Sequence, residues 1–325
     1  MAFSVGTLTA YVEENKDDLV MKPITGARIF DYIDVRQGIK SGDKIPILES
    51  TAPAQAGASC GFNSSGTTSI TQTTLTTTSI KIQEALCLED LEAYFTQKYL
   101  PAGSNPTTIS IEGMIVERKF ANIAQKVGQM VMQGKTTYTN DTYLQRMNGF
   151  IALVDANSAT VIAATQQASI STSTVRGIFE EIIFVKLPNA LSQLNDQTVF
   201  CGVDTFKILA LKLMQDNLFH ITPLTADQYK NSELVYPGSN VKVVGLSEMN
   251  AGNSVDSGGS LPLAVKNRIL AGSASNFIAG FDVKKDSSDF KIWFSEDNQQ
   301  LRFHCRFNIG VTNHFYDQIV QYTNL

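Results

Sequence analysis

Residues 67–82 read Thr67-Thr-Ser-Ile-Thr-Gln-Thr-Thr-Leu-Thr-Thr-Thr-Ser-Ile-Lys-Ile82, and no other run constrains the fold as strongly. Threonine stiffens the chain toward the extended conformation because its β-branched side chain restricts χ1, yet it brings little apolar surface to bury. Such a run can form a strand but cannot anchor one. It follows a short apolar strand, Ile45-Pro-Ile-Leu48, and a Gly/Ala/Ser tip around 55–66. An isolated two-stranded ribbon is marginal in water, so this excursion is expected to be ordered by another surface, that of a neighbouring molecule. The alternative is a mobile surface hairpin.

Around the excursion the periodicity alternates between helix and strand. An acidic segment, residues 11–24, stops at Pro23, and the alternation of Arg28 to Arg36 predicts a strand, followed by a turn at Gly38 and Gly42. A helix is expected over Glu84–Tyr99, with Leu88, Leu91, Phe95 and Tyr99 on one face and Pro101 beyond it. A longer one is expected over Ser110–Gln133, where Val116, Phe120, Ile123, Val127 and Val131 make one stripe and Gly134 terminates it. Residues 138–167 read as loop with short β segments. Further on, Thr174–Leu187 reads as helix and Thr198–Val203 as a buried strand, with Asp204 capping a helix over Thr205–Phe219. Strands are expected at Val241–Leu246, Arg268–Ala271 and 277–283. The alternation on both sides of a Glu-Asp-Asn turn predicts a hairpin over Phe290–Phe307.

Size and charge narrow the function. A chain of 325 residues exceeds the length at which a single core stops growing, so two packed lobes are expected. The net charge of -5 gives no broad cationic field, which argues against sequence-specific nucleic-acid binding, and any DNA nearby would be held by something else. The start of the chain lacks the basic and apolar regions of a secretory signal, and no apolar run approaches the roughly twenty residues that cross a bilayer. Synthesis in the cytoplasm and no membrane span are the expectations. Cys60, Cys87, Cys201 and Cys305 sit at neither metal nor redox spacing and are expected to be reduced thiols. The N-x-Ser/Thr triplets at Asn63 and Asn140 then carry no glycan.

Three patterns invite a chemical reading, and each has a plainer one. Gly57-Ala-Ser-Cys-Gly61 matches the nucleophile elbow of serine hydrolases, but that motif needs a buried strand before Ser59 and a helix after it, and neither is foreseen. Gly128–Thr136 resembles a phosphate-binding loop with one residue too many, placed at the end of a helix where the motif needs its beginning. His304 and His314 could meet if their strands pair, but neither lies in a zinc-binding spacing. The adjacent acids Glu180 and Glu181, like Glu89 and Asp90, point in different directions on helices. No catalytic residue, cofactor site or metal site is assigned, and the chain is not expected to be an enzyme; a cytoplasmic hydrolase using Ser59 is the distant alternative.

The order of these pieces resembles the major capsid proteins of tailed bacteriophages, the Hong Kong 97 type fold shared with encapsulin shells. The resemblance rests on Lys44-Ile-Pro-Ile-Leu48 leading into the Thr-rich return, then Leu88-Glu-Asp-Leu-Glu-Ala-Tyr-Phe-Thr-Gln97, the long helix, and Phe315-Tyr-Asp-Gln-Ile-Val-Gln-Tyr322. It implies an α+β chain with an N-terminal arm and first strand (1–41), an extended β-hairpin loop (42–83), a peripheral domain with a spine helix (84–150), an axial domain (151–285) and C-terminal strands that return to the peripheral domain (286–325). It further implies self-assembly into pentamers and hexamers of an icosahedral shell around double-stranded DNA, or, alternatively, an encapsulin-type shell around an enzyme. The residues implied at subunit contacts are Lys44, Phe62, Thr67, Thr73, Leu75, Glu117, Arg118 and Lys119. Scaffolding, portal and decoration proteins are the implied partners, the packaged DNA is held without sequence-specific binding, and the virion capsid, assembled in the host cytoplasm, is the implied location. Only about 25 residues precede the first predicted strand, so a fused, cleavable scaffolding segment is expected to be absent or already removed, and no Lys–Asn crosslinking motif is matched.

Overall fold

The computed structural model describes residues 26–51, 53–54, 65–87, 111–138, 143–188, 196–216, 231–250, 267–282, 290–295, 297–298 and 300–324. Two sheets dominate it. The first is organised by its longest strand, β12 (Gln300–Asn313), in which Phe303, Cys305, Phe307, Ile309 and Val311 are buried while Arg302, His304 and Arg306 turn outward. This is the two-residue alternation of a strand with one covered face. Strand β4 (Thr78–Cys87) pairs antiparallel with one edge of β12 from Ile309 to Gln300. The opposite edge carries β11 (Phe290–Ser295) beside 300–305 and then β10 (Phe277–Asp282) beside 308–313. Beyond β10 lies β1 (Asp34–Gln37), in parallel pairing.

Helix α1 (Ile111–Gln133) covers the apolar face of this sheet, and Phe120, Ile123, Val127, Met130 and Val131 share one core with Phe281, Phe303, Phe307 and Ile309. Its 23 residues span about 35 Å at 1.5 Å each. Gly134 closes it as predicted, because its amide bonds to the Met130 carbonyl and a methyl there would strike the Met130 and Met147 carbonyls. The first turn of the described chain, Arg28–Asp31, is 3-10 helix where a strand was predicted; pairing begins only at Asp34. Its anchor is Glu248, a buried carboxylate that accepts the Arg28 amide at 3.1 Å. Gly128 makes room for this clamp, since a β-carbon there would lie 2.7 Å from Glu248 Cγ and 2.9 Å from Ala27 Cβ.

The second sheet has the order β5 (Ile162–Ala163), β13 (Val320–Tyr322), β9 (Ile269–Ser273), β6 (Gln197–Gly202), β8 (Lys242–Leu246), β7 (Glu233–Val235). Every residue of β6 is buried, as a central strand requires. Helices α3 (Val175–Glu180), which runs on as a π-helical turn through Lys186, and α4 (Val203–Gln215) share its second core through Val175, Ile178, Phe179, Phe206, Leu209 and Leu213. Arg268, just before β9, ties the second sheet to α2 (Phe150–Ala156): its Nη1 donates to Gln321 Oε1 on β13 at 3.0 Å and its Nη2 lies 2.6 Å from Asp155 Oδ1.

Four further sequence expectations change. The Thr-rich run is two strands, β3 (Thr67–Leu75) and β4, with a break at Thr76–Thr77. Residues 84–87 are the end of β4, held by pairing with Phe303 to Gln300, so the helix expected there does not begin at Glu84; 88–99 lie outside the described residues. Asp204 sits within the first turn of α4, and Gly202 occupies the cap, with no side-chain hydrogen bond. Finally, 138–167 includes α2, whose Phe150, Ile151 and Val154 are buried on the sheet side; the short apolar stretch gave too few turns for helical periodicity to show.

Candidate assembly surfaces

Strand β2 (Asp43–Thr51) pairs antiparallel with β3 in a ribbon that belongs to neither large sheet. Its base is firmly seated. Gly38 and Gly42 take φ of +75° and +90°, a left-handed conformation that favours glycine, and the Gly42 amide bonds to the Leu75 carbonyl at 3.0 Å. Ile45 and Leu75, both buried, pack with Ile278 of β10. Leu75 rests on Gly280, where a β-carbon would come within 2.5 Å of its Cδ2, and Thr76 crosses Gly310, where a methyl would overlap the Thr76 carbonyl.

Beyond this base the ribbon leaves the body. Leu48 and Ile70 face each other across the two strands and are each 68 % exposed. The strand alternation puts Lys44 and Pro46 on the same face as Leu48. Further out, hydroxyls fix the register: Ser50 Oγ lies 3.2 Å from Thr68 Oγ1, and Thr51 Oγ1 lies 2.8 Å from Thr67 Oγ1 while accepting the Thr67 amide at 3.1 Å. Threonine therefore supplies cross-strand hydrogen bonds that set alignment without a core.

The residues named from sequence fall into distinct positions. Lys44 and Thr67 are exposed on the ribbon and Thr73 is half-buried opposite Ile45. Leu75 is fully buried in its own chain, where it anchors the ribbon. Arg118 is exposed on α1, whereas Lys119 pairs with Glu84 of β4 and so ties the helix to the sheet. Phe62 lies outside the described residues, as does the Ser59 motif, and of Glu117 only its place in α1 is described. Sequence reading did not single out Leu48 and Ile70, because only the register shows that the end of the apolar run Ile45–Leu48 lies opposite the lone Ile70.

The chemical motifs find no constellation among the described residues. His304 lies on β12 and His314 directly follows the last residue of the same strand, ten positions on, so the two do not sit on paired strands. His304 Nδ1 lies 3.1 Å from Gln83 Nε2. The His314 pKa is lowered by burial and then by Arg36, against a smaller opposing effect of Asp34. Glu180 pairs with Arg176 at 2.8 Å, while Glu181 accepts from Thr165 at 2.7 Å. The Cys201 and Cys305 side chains are buried and form no disulfide among the described residues, and burial raises the Cys201 pKa. No group of three His, Cys, Asp or Glu side chains is placed to hold a metal among the described residues. Nor is any described helix long and apolar enough to cross a membrane.

No protein-family model and no curated protein matches the sequence. Solved structures do match. A chain of Gordonia phage Cozz aligns over 92 % of this chain and 86 % of its own length, with TM-score 0.59 and 12 % identity. A chain of the satellite phage P4 procapsid, a structure that includes the size determination protein Sid, aligns over 95 % and 90 % with TM-score 0.57 and 9 % identity. The capsid of Myoviridae phage XM1 aligns over 93 % and 92 % with TM-score 0.54 and 13 % identity. The chain has the fold of tailed-phage major capsid proteins. In this α+β capsid fold of the Hong Kong 97 type, α1 is the spine helix and the β2–β3 ribbon stands where the extended loop was expected.

Proposed function

We propose that this chain is a major capsid protein of a tailed bacteriophage, assembling as pentamers and hexamers into an icosahedral shell around double-stranded DNA, without catalysis. One observation carries the reading. The ribbon exposes the paired Leu48 and Ile70 side chains at 68 % each, on an arm whose β3 strand is mostly threonine and serine, while its base is wedged into the body at Leu75. An arm fixed at its root, with Ile45 and Ile47 buried but Leu48 and Ile70 exposed, matches a surface to be clamped by a sister subunit, where two apolar side chains provide the buried centre of a polar contact. Lys44, Thr67, Thr73 and Arg118 are assigned to that contact, together with Leu48 and Ile70. Scaffolding, portal and decoration proteins are the partners this reading entails.

Size-exclusion chromatography and negative-stain microscopy of the expressed protein, with and without its scaffolding protein, test the reading. Capsomers or closed shells are expected. A protein that stays monomeric at high concentration under both conditions would contradict it. Deletion of 52–66 is the matching variant, because it spares Leu75 and the Thr76 crossing; removing Ala52–Thr78 would excise the anchor itself. A folded subunit that forms no shells is the expected result.

A further inference from the structure

The face of the first sheet turned away from α1 gathers cations. Direct cross-strand partners share a face, so Lys81 lies beside Arg306, Lys291 beside His304, and Arg302 beside Trp293, across β4, β12 and β11. Lys81, Lys291 and Arg306 are exposed and Arg302 half-buried. None of these four cations forms an ion pair among the described residues; Arg306 Nε donates to Ser79 Oγ at 3.2 Å, and Lys291 Nζ stands 5.4 Å from the Trp293 ring centroid. The one carboxylate on the core-facing side of β4, Glu84, is turned to Lys119 of the spine helix. Asp282, paired with Asn308, marks the end of the cationic zone. From Arg302 to Arg306 the zone runs roughly 13 Å along the strand at about 3.3 Å per residue.

Like charges set directly opposite each other cost stability. Lys81 and Arg306 accept that cost in a chain whose net charge is -5, so the concentration of charge is local, and composition conceals it. We infer that this sheet face binds the phosphate backbone of double-stranded DNA, in a sequence-independent way, and is therefore the face turned to the packaged genome. The inference rests on the capsid reading for the source of the DNA. A protein partner fits less well, since protein contacts have an apolar centre depleted of lysine, whereas nucleic-acid contacts are polar and strongly positive. Beside these cations, on β4, β11 and the 302–306 stretch of β12, the only large apolar side chain described on this face is the half-buried Trp293; further along, Ile278 is covered by Leu75 and Ile45 of the ribbon root.

Trp293 is the single tryptophan of the chain and reports on this face directly. The unassembled subunit is titrated with a mixed-sequence 30-base-pair duplex, following tryptophan fluorescence between 50 and 200 mM salt. With four phosphates neutralised the logarithmic salt slope is about -3.6, an affinity loss of about 150-fold over that range. The Lys81→Gln/Arg306→Gln double variant should halve the slope to about -1.8, leaving a loss of about 12-fold. Lys291→Gln/Arg302→Gln should do the same, which guards against one pair acting through misfolding. A slope unchanged in both variants overturns the inference. So does tighter binding of poly-L-glutamate than of duplex at equal charge, which would assign the face to an acidic protein segment. Shell formation by the wild type, scored in parallel, bears on the capsid reading alone.

Discussion

Gly280 and Gly310 are direct cross-strand partners on β10 and β12, and together they form the seat for the root of the extended ribbon. Leu75 occupies the space above Gly280 and the Thr76 backbone crosses Gly310. The two missing side chains thus let β3 leave the β2 ribbon and re-enter the sheet as β4. The direction in which the arm projects is set there.

The two glycines should respond differently to alanine. At Gly280 the added methyl meets the end of a leucine side chain, which can rotate, whereas at Gly310 it meets backbone. Gly310→Ala should cost about 3 kcal/mol and Gly280→Ala about 1 kcal/mol, the range typical of overpacking. Urea denaturation monitored by circular dichroism measures both.

Leu48→Ser and Ile70→Ser should leave the subunit as stable as the wild type, within about 0.5 kcal/mol, because each side chain is exposed in the free chain. Assembly should suffer nonetheless. The measurement is the critical concentration for shells or capsomers by light scattering, expected to rise at least about tenfold if each residue contributes about 1.4 kcal/mol at a contact.

Asp155→Asn should loosen the junction between the second sheet and α2. Arg268 is 5 % exposed and Asp155 is 30 % exposed, so the pair is partly screened, and a loss of about 2 kcal/mol is expected from a charge-assisted hydrogen bond rather than the larger value of a fully buried pair. Asp155→Ala should cost at least as much. Thermal unfolding provides the measurement, and an unchanged midpoint would remove the pair from the account of the junction.

His314 favours its neutral form in the fold, because burial and Arg36 lower its pKa. The unfolded chain protonates it near 6.5, so the unfolded state takes up the proton first as the pH falls. Its stabilising effect is complete above that pH and is lost as the pH drops from 6.5 toward the folded value. The wild type should therefore lose more stability between pH 7 and 5 than His314→Gln does. Parallel denaturation curves at the two pH values give the difference.

The sequence alone determined the elements whose signals are local. The stripe Phe120, Ile123, Val127 and Val131 with Gly134 behind it defined the spine helix, because 3.6-residue spacing and a terminator need no distant partner. The alternation along 300–307 defined β12 and its hairpin for the same reason. The threonine run declared a ribbon with little to anchor it. Tertiary structure decided what depended on pairing. It extended β4 through Glu84–Cys87 against β12, broke the run at Thr76 over Gly310, set Leu48 opposite Ile70, buried Leu75 and gathered Lys81, Lys291, Arg302 and Arg306 on one face. Register and cross-strand neighbours are relations between residues far apart in the chain, and no local periodicity encodes them.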